Sequence, residues 1–150
     1  MTFRRNFEFY WLRKDILAGS SRPYSTENID FIVKQGVKRI ISISEPDRVI
    51  LLAKDFPVEV IPFEFEDFGI PSSNQLKEFF SIIENSISEK KPVLIHCAMG
   101  CGRTGLLLTT FLMKFENKDW KSALTDVRMY RPCAVESSSQ LSYLESLKLY

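Results

Sequence analysis

The chain has 150 residues, 45% of them hydrophobic and 26% charged, with a formal net charge of +1, the proportions of an ordinary globular domain with a single core. That balance names no nucleic-acid partner, because basic doublets such as Arg4-Arg5 and Lys90-Lys91 are too short to form a basic face. No apolar run reaches membrane-spanning length, and the first residues lack the apolar stretch of a secretory signal, so a cytoplasmic monomer acting away from membranes is expected. Three cysteines, Cys97, Cys101 and Cys133, contain no CxxC pair and are expected as free thiols rather than as a disulfide framework or a zinc site.

In chain order, a short strand or hairpin is expected near Tyr10 to Leu17. Next, "STENIDFIVKQG" places Ile29, Ile32 and Val33 on one helical face, with Ser25 or Thr26 to cap it and Gly36 to end it. Strands follow over 37–44 ("VKRIISIS") and 58–65 ("VEVIPFEF"). Ser72 and Gln75 form a capping box before Leu76, Phe79, Phe80 and Ile83, which mark a second helix. The run "PVLIHC" (92–97) is apolar through Val93, Leu94 and Ile95, as a strand buried on both faces would be. After it, "RTGLLLTTFLMKF" is apolar on nearly all sides and reads as an interior helix. Asp119 caps another helix that Pro132 stops, and a last helix is expected from about Ser138 to Tyr150. The alternation predicts an α/β fold, a central and largely parallel sheet flanked by helices, in one domain over 1–150.

The chemistry concentrates where the central strand meets the interior helix. Gly100, Gly102 and Gly105 let that loop curl into a concave row of backbone N–H groups in front of a helix N-terminus, an anion cradle. Helix N-termini and nearby cations stabilise a thiolate, and Cys97 enters the cradle from the strand. Arg103 follows where its planar fork can close over the same centre. Nucleophile, amide ring and guanidinium together suit phosphoryl transfer. Neither the lysine of a GxxxxGK(S/T) nucleotide loop nor the spacing of a dinucleotide GxGxxG is present.

The stretch "HCAMGCGRTG" resembles the HCxxGxxR(S/T)G signature of the cysteine-dependent protein tyrosine phosphatase superfamily, with His96, Cys97, Gly100, Arg103, Thr104 and Gly105 in register. With "NFEFYWLRKDILAGSSRP" near the start, an acidic loop before a helix and "RPCAVESSSQ" near the end, the chain is similar over nearly its whole length to small atypical dual-specificity phosphatases of the VHZ-like type. The resemblance implies the protein tyrosine phosphatase-like fold, a phosphorylated protein as substrate, a phosphocysteine intermediate, and no cofactor or metal.

Carried over residue by residue, Cys97 is the nucleophile and Arg103 binds the phosphate. Ala98, Met99, Gly100, Cys101 and Gly102 supply the N–H ring, and Thr104 donates its hydroxyl to the sulfur. His96 fixes the loop rather than acting as a base. The acid that protonates the leaving oxygen is sought in "FEFEDFGIP", where Asp67 is favoured over Glu64 and Glu66 because Gly69 and Pro71 place it in a loop. Gln140 fits the family's water-orienting glutamine, and Glu136 either assists that water or holds its loop. The alternative for either is a helix-cap residue, with Ser137 to Ser139 supplying caps. Cys101 either switches activity through a disulfide with Cys97 or only fills space, and Cys133 is a weaker candidate for the same switch.

Two rival functions stay in play: a phosphatase of phosphoinositides, other small phosphate esters or RNA 5′ phosphates, and a phosphate-binding module without turnover. The uncharged Ala98, Met99 and Cys101 weigh against the first; the presence of Cys97, Arg103 and Asp67 together weighs against the second.

Overall fold

The computed structural model describes residues 7–149, so the doublet Arg4-Arg5, Asn6 and Tyr150 lie outside the described residues. The described residues form five strands: β1 (Phe9–Arg13), rich in aromatic residues, β2 (Leu17–Ser20), and the Val- and Ile-bearing β3 (Arg39–Ser42), β4 (Glu59–Pro62) and β5 (Val93–His96). They build one sheet in the order β1-β2-β5-β3-β4. Its β1–β2 pair is antiparallel and every other pair is parallel. Among the described residues six helices flank it: α1 (Thr26–Lys34), α2 (Pro46–Ala53), α3 (Ser73–Ser88), α4 (Gly102–Phe115), α5 (Trp120–Tyr130) and α6 (Ser138–Ser146). This is the α/β architecture that the alternation predicts.

Because side chains alternate along a strand, each buried strand feeds both faces of the sheet. Leu17, Ile41, Val93 and Ile95 face the larger core with residues of α3, α4, α5 and α6, whereas Ala18, Ile40 and Leu94 face a smaller one with α1 and α2. The interior helix α4 buries every residue from Gly102 to Met113. Removing a fully buried leucine such as Leu106 or Leu108 costs about 2–5 kcal/mol.

The caps follow the local chemistry. Ser25 accepts from Asn28 N at α1, Ser72 and Gln75 close a capping box at α3, and Asp119 accepts from Ser122 N at α5. The strands expected over 37–44 and 92–97 are shorter, Arg39–Ser42 and Val93–His96, and three further features differ from the sequence reading. Helix α2 was not anticipated; its N-cap Glu45 sits in the left-handed region with no side-chain cap, so the usual start signal is missing. Strand β4 stops at Pro62, because its partner β3 has by then turned toward α2. Helix α6 ends at Ser146.

Candidate active site

Register places the site at the carboxyl end of the sheet. His96, the last residue of β5, lies beside Ser20 of β2 and Ser42 of β3, and the chain then loops through residues 97–101 into α4. Cys97 is 3% exposed, Arg103 7%, and Thr104 fully buried.

The loop's carbonyls are held one by one. Ala98 O accepts from Arg22 N at 3.1 Å and Cys101 O from Gly105 N at 2.8 Å. Met99 O accepts from Arg131 Nη2 at 2.6 Å, and Gly100 O from the Tyr10 hydroxyl at 2.9 Å. Across a trans peptide the N–H opposes the C=O, so pinning these carbonyls outward turns the following N–H groups, from Met99 to Gly102, to the concave side. Gly100 is required here. Its φ is +73°, and a Cβ would lie 2.7 Å from the Ser20 backbone.

His96 supports the base of the loop. Its Nε2 is 2.7 Å from Ser42 Oγ and its Nδ1 3.3 Å from Cys97 O, a pairing that suits the neutral Nδ1–H tautomer. Burial above all, with Arg22 and Arg103 adding to it, pulls its pKa down to about 4. The ring is uncharged at neutral pH.

Arg103 points across the cradle toward the segment after β4. Its Nη1 donates to Phe65 O at 3.2 Å, and its Nε is 3.5 Å from Asp67 Oδ1. Asp67 is the acid of the 64–67 stretch that pairs with Arg103 among the described residues; Glu64 and Glu66 are exposed. The Thr104 hydroxyl is buried with no hydrogen-bond partner among the described residues.

The segment between α5 and α6 closes the other side. Val135, a β-branched residue in the left-handed region at φ 64°, sits in a conformation that costs on the order of 1–3 kcal/mol. Arg128 holds it there, donating to Ala134 O at 2.9 Å and Val135 O at 3.2 Å. The turn sends the Glu136 side chain back to the cradle, where Oε1 accepts from Gly102 N at 2.9 Å. Gln140 has no exposed surface. Its Oε1 accepts from Glu136 N at 2.9 Å and Ser137 N at 3.2 Å, and its Nε2 donates to Gly69 O at 3.0 Å. The amide to which the resemblance gives a water-orienting role is thus bonded on both sides to backbone.

The expectation of free thiols is corrected: Cys101 and Cys133 form a disulfide, with Cα atoms 5.2 Å apart, and only Cys97 is free. They are 32 residues apart in sequence, and the pair becomes close only because α5 folds back on α4 and returns the chain to the loop. A search for short Cys spacings misses such a pair. The pairing also differs from both switches considered from sequence, each of which used Cys97.

Sequence reasoning missed three other residues at the loop. Tyr10 lies under it, its pKa raised by burial and then by the charge of Cys97. Arg22 ion-pairs with Glu45 at 2.6 Å, and Arg131 pairs with Glu8 while holding Met99. The available signal was weak: Arg22 and Arg131 each precede a proline, where a chain is held extended and a long side chain can turn back. Among the described residues no group of three or more His, Cys, Asp and Glu side chains is placed to hold a metal ion. No helix among them is long and apolar enough to cross a membrane.

Comparison with known proteins gives the same assignment. Among solved structures, Tk-PTP in the active form is 30% identical, covering 92% of this chain and 96% of that one, with a TM-score of 0.81. PTPMT1 in complex with PI(5)P superposes at a TM-score of 0.79 over 91% and 92% of the two chains, at 16% identity, which speaks for the fold alone. The protein tyrosine phosphatase domain-containing protein 1 of Mus musculus is 26% identical over 87% of this chain. Protein phosphatase Slingshot of Drosophila melanogaster is 25% identical over 82%. This chain spans only 20% and 12% of those two proteins. The family described as "Dual specificity phosphatase, catalytic domain" matches residues 22–148, and the chain belongs to that family of cysteine-based protein phosphatases.

Proposed function

We propose that this chain hydrolyses phosphorylated protein side chains, phosphotyrosine foremost and phosphoserine or phosphothreonine as well, through a phosphocysteine at Cys97. The observation that carries the reading is the joint burial of Cys97 and Arg103 at a loop whose carbonyls from Ala98 to Cys101 each accept from a neighbouring donor, with Asp67 3.5 Å from the guanidinium. In the first step the Cys97 sulfur attacks phosphorus as the ester P–O bond breaks, and Asp67 gives its proton to the leaving oxygen. Inward N–H groups and Arg103 take the charge on the three equatorial oxygens. In the second step water attacks phosphorus, the S–P bond breaks and phosphate leaves. In this reading Glu136, whose Oε1 accepts from Gly102 N of the loop, positions that water, and the Thr104 hydroxyl, without a hydrogen-bond partner among the described residues, serves the departing thiolate.

Two features favour a protein monoester over a polyanionic lipid or an RNA end. Arg22 and Arg131, the cations beside the loop, are already paired with Glu45 and Glu8. The exposed side chains on the two loops of the site include the apolar Met99 and Phe68, which suit an aromatic ring. The test is hydrolysis of an aryl phosphate and of matched phosphopeptides, without added metal and under mild conditions, by the native chain and by Cys97→Ser. Turnover by the native chain that vanishes in Cys97→Ser supports the reading. No turnover by the native chain, with phosphopeptide still bound, gives the site to recognition instead.

A further inference from the structure

Three hydrogen bonds cross from the start of α6 to the loop that carries Asp67. Ser137 Oγ donates to Phe68 O at 2.8 Å, Ser139 Oγ to the same carbonyl at 3.1 Å, and Gln140 Nε2 to Gly69 O at 3.0 Å. Its earlier part is held by Gln75 Nε2 on Glu64 O at 2.8 Å and by Arg103 on Phe65 O and Asp67, whereas Phe68 and Gly69 are held from α6. Asp67 is exposed over 57% of its side chain and Phe68 over 54%. The regular pairing of β4 ends at Pro62, and Phe68 stands at φ 59°, where an aromatic residue is strained. Within the loop the turn is closed only by Gly69 N on Glu66 O at 2.9 Å and by Phe68 N on the Asp67 carboxylate at 3.0 Å.

We infer that the Gln140 side chain, helped by Ser139, is a latch that positions the Asp67 loop over Arg103. Resting on the assignment of Asp67 as the acid, this gives Gln140 a place in the first chemical step as a positioning residue. The chemistry of an amide is what the place demands. Its oxygen takes the N–H groups of Glu136 and Ser137, and its nitrogen gives a hydrogen to Gly69 O; the opposite amide orientation would set nitrogen against two donors and oxygen against an acceptor. Glutamine therefore joins the Glu136 segment, which touches the cradle through Gly102, to the acid loop, which touches it through Arg103. A buried group with both ends engaged is costly to leave half satisfied, so the two segments are held in one arrangement. In that arrangement the Asp67 proton is delivered to the ester oxygen as the P–O bond breaks.

The discriminating variant is Gln140→Glu. Glutamate keeps the acceptor of the capping box but loses the hydrogen for Gly69 O. Ser139→Ala removes a bond to Phe68 O and leaves the box intact, so the question stays answerable if Gln140→Glu does not fold. For each, with Asp67→Asn beside them, kcat/KM is measured across aryl phosphates whose phenols run from strongly to weakly acidic. This ratio reports formation of phosphocysteine and is blind to the later attack of water.

The latch predicts a steeper dependence on the leaving group. Gln140→Glu lowers kcat/KM for the poorest leaving group about tenfold more than for the best, and Ser139→Ala does so about threefold, both within the span that general-acid catalysis supplies. A uniform fall across the series means a merely structural role and overturns the latch. An unchanged kcat/KM with a lowered kcat and a burst of phenol means that Gln140 serves the water step, and overturns it as well. Should Asp67→Asn steepen the series while the other two do not, the latch fails and the acid assignment stands. Should Asp67→Asn leave the slope unchanged, the acid assignment fails and the latch with it.

Discussion

The two halves of the site are built on opposite principles. The cradle is buried and over-determined: four loop carbonyls have their own donors, drawn from β1, α4, Arg22 and Arg131, and the Cys101–Cys133 disulfide ties its end to the α5–α6 segment. The acid loop lies at the surface and is held from outside by α6. The division fits the roles proposed for each half. Stabilising charge on phosphate needs dipoles that do not reorganise during reaction, whereas an acid must meet leaving groups of many shapes. Damage to the cradle should therefore be blind to the leaving group, and damage to the acid loop should depend on it.

Arg103→Lys is the largest test of that contrast. A point charge cannot reproduce the two-pronged clasp, and kcat should fall on the order of 10³-fold for good leaving groups as well as for poor ones. A loss confined to poor leaving groups in a steady-state series would move Arg103 from the cradle to the acid. Next in size is the disulfide. Opening a link across 32 residues by Cys133→Ser should lower unfolding free energy by roughly 3 to 4 kcal/mol, while the remaining donors keep the cradle shaped and aryl phosphate turnover within a few-fold. Equal denaturant midpoints for the native chain under oxidising and reducing conditions would refute that contribution.

The smallest effect is one of pH. With its pKa lowered from 6.5 to about 4, His96 is neutral in the folded chain, and the unfolded chain binds the extra proton first. Its contribution to stability is therefore complete above about pH 6.5 and is lost as pH falls toward 4, at up to about 1.4 kcal/mol per pH unit. Denaturant midpoints at pH 7, 5.5 and 4.5 should fall more steeply for the native chain than for His96→Gln; parallel curves would mean that the imidazole is not buried neutral.

Where a function leaves a local chemical signature, this sequence is legible. Strand β5, the interior helix α4, the Ser72 and Asp119 caps and the placing of Cys97 and Arg103 follow from apolar runs, capping residues and glycine spacing. Helix α2 was hidden because Glu45 offers no cap, although Pro46 at its first turn and Val49 and Ala53 four apart were usable signs. What sequence could not give are contacts made by residues far apart: Tyr10 on Gly100 across 90 positions, Gln140 on Gly69 across 71, and Cys101 on Cys133. The last of these turned an expectation of free thiols into a cross-link. Each depends on how helices return to the carboxyl end of the sheet, which no short window records.

Helix α4, buried along nearly its whole length, carries a further consequence. Its first residues carry the cradle and its length belongs to the larger core, so the floor of the cradle is part of that core. Local opening of that floor requires the whole domain to open. Destabilising changes elsewhere in the core are then read out as fewer active molecules with unaltered turnover each, and phosphatase activity per folded molecule stays constant while abundance falls.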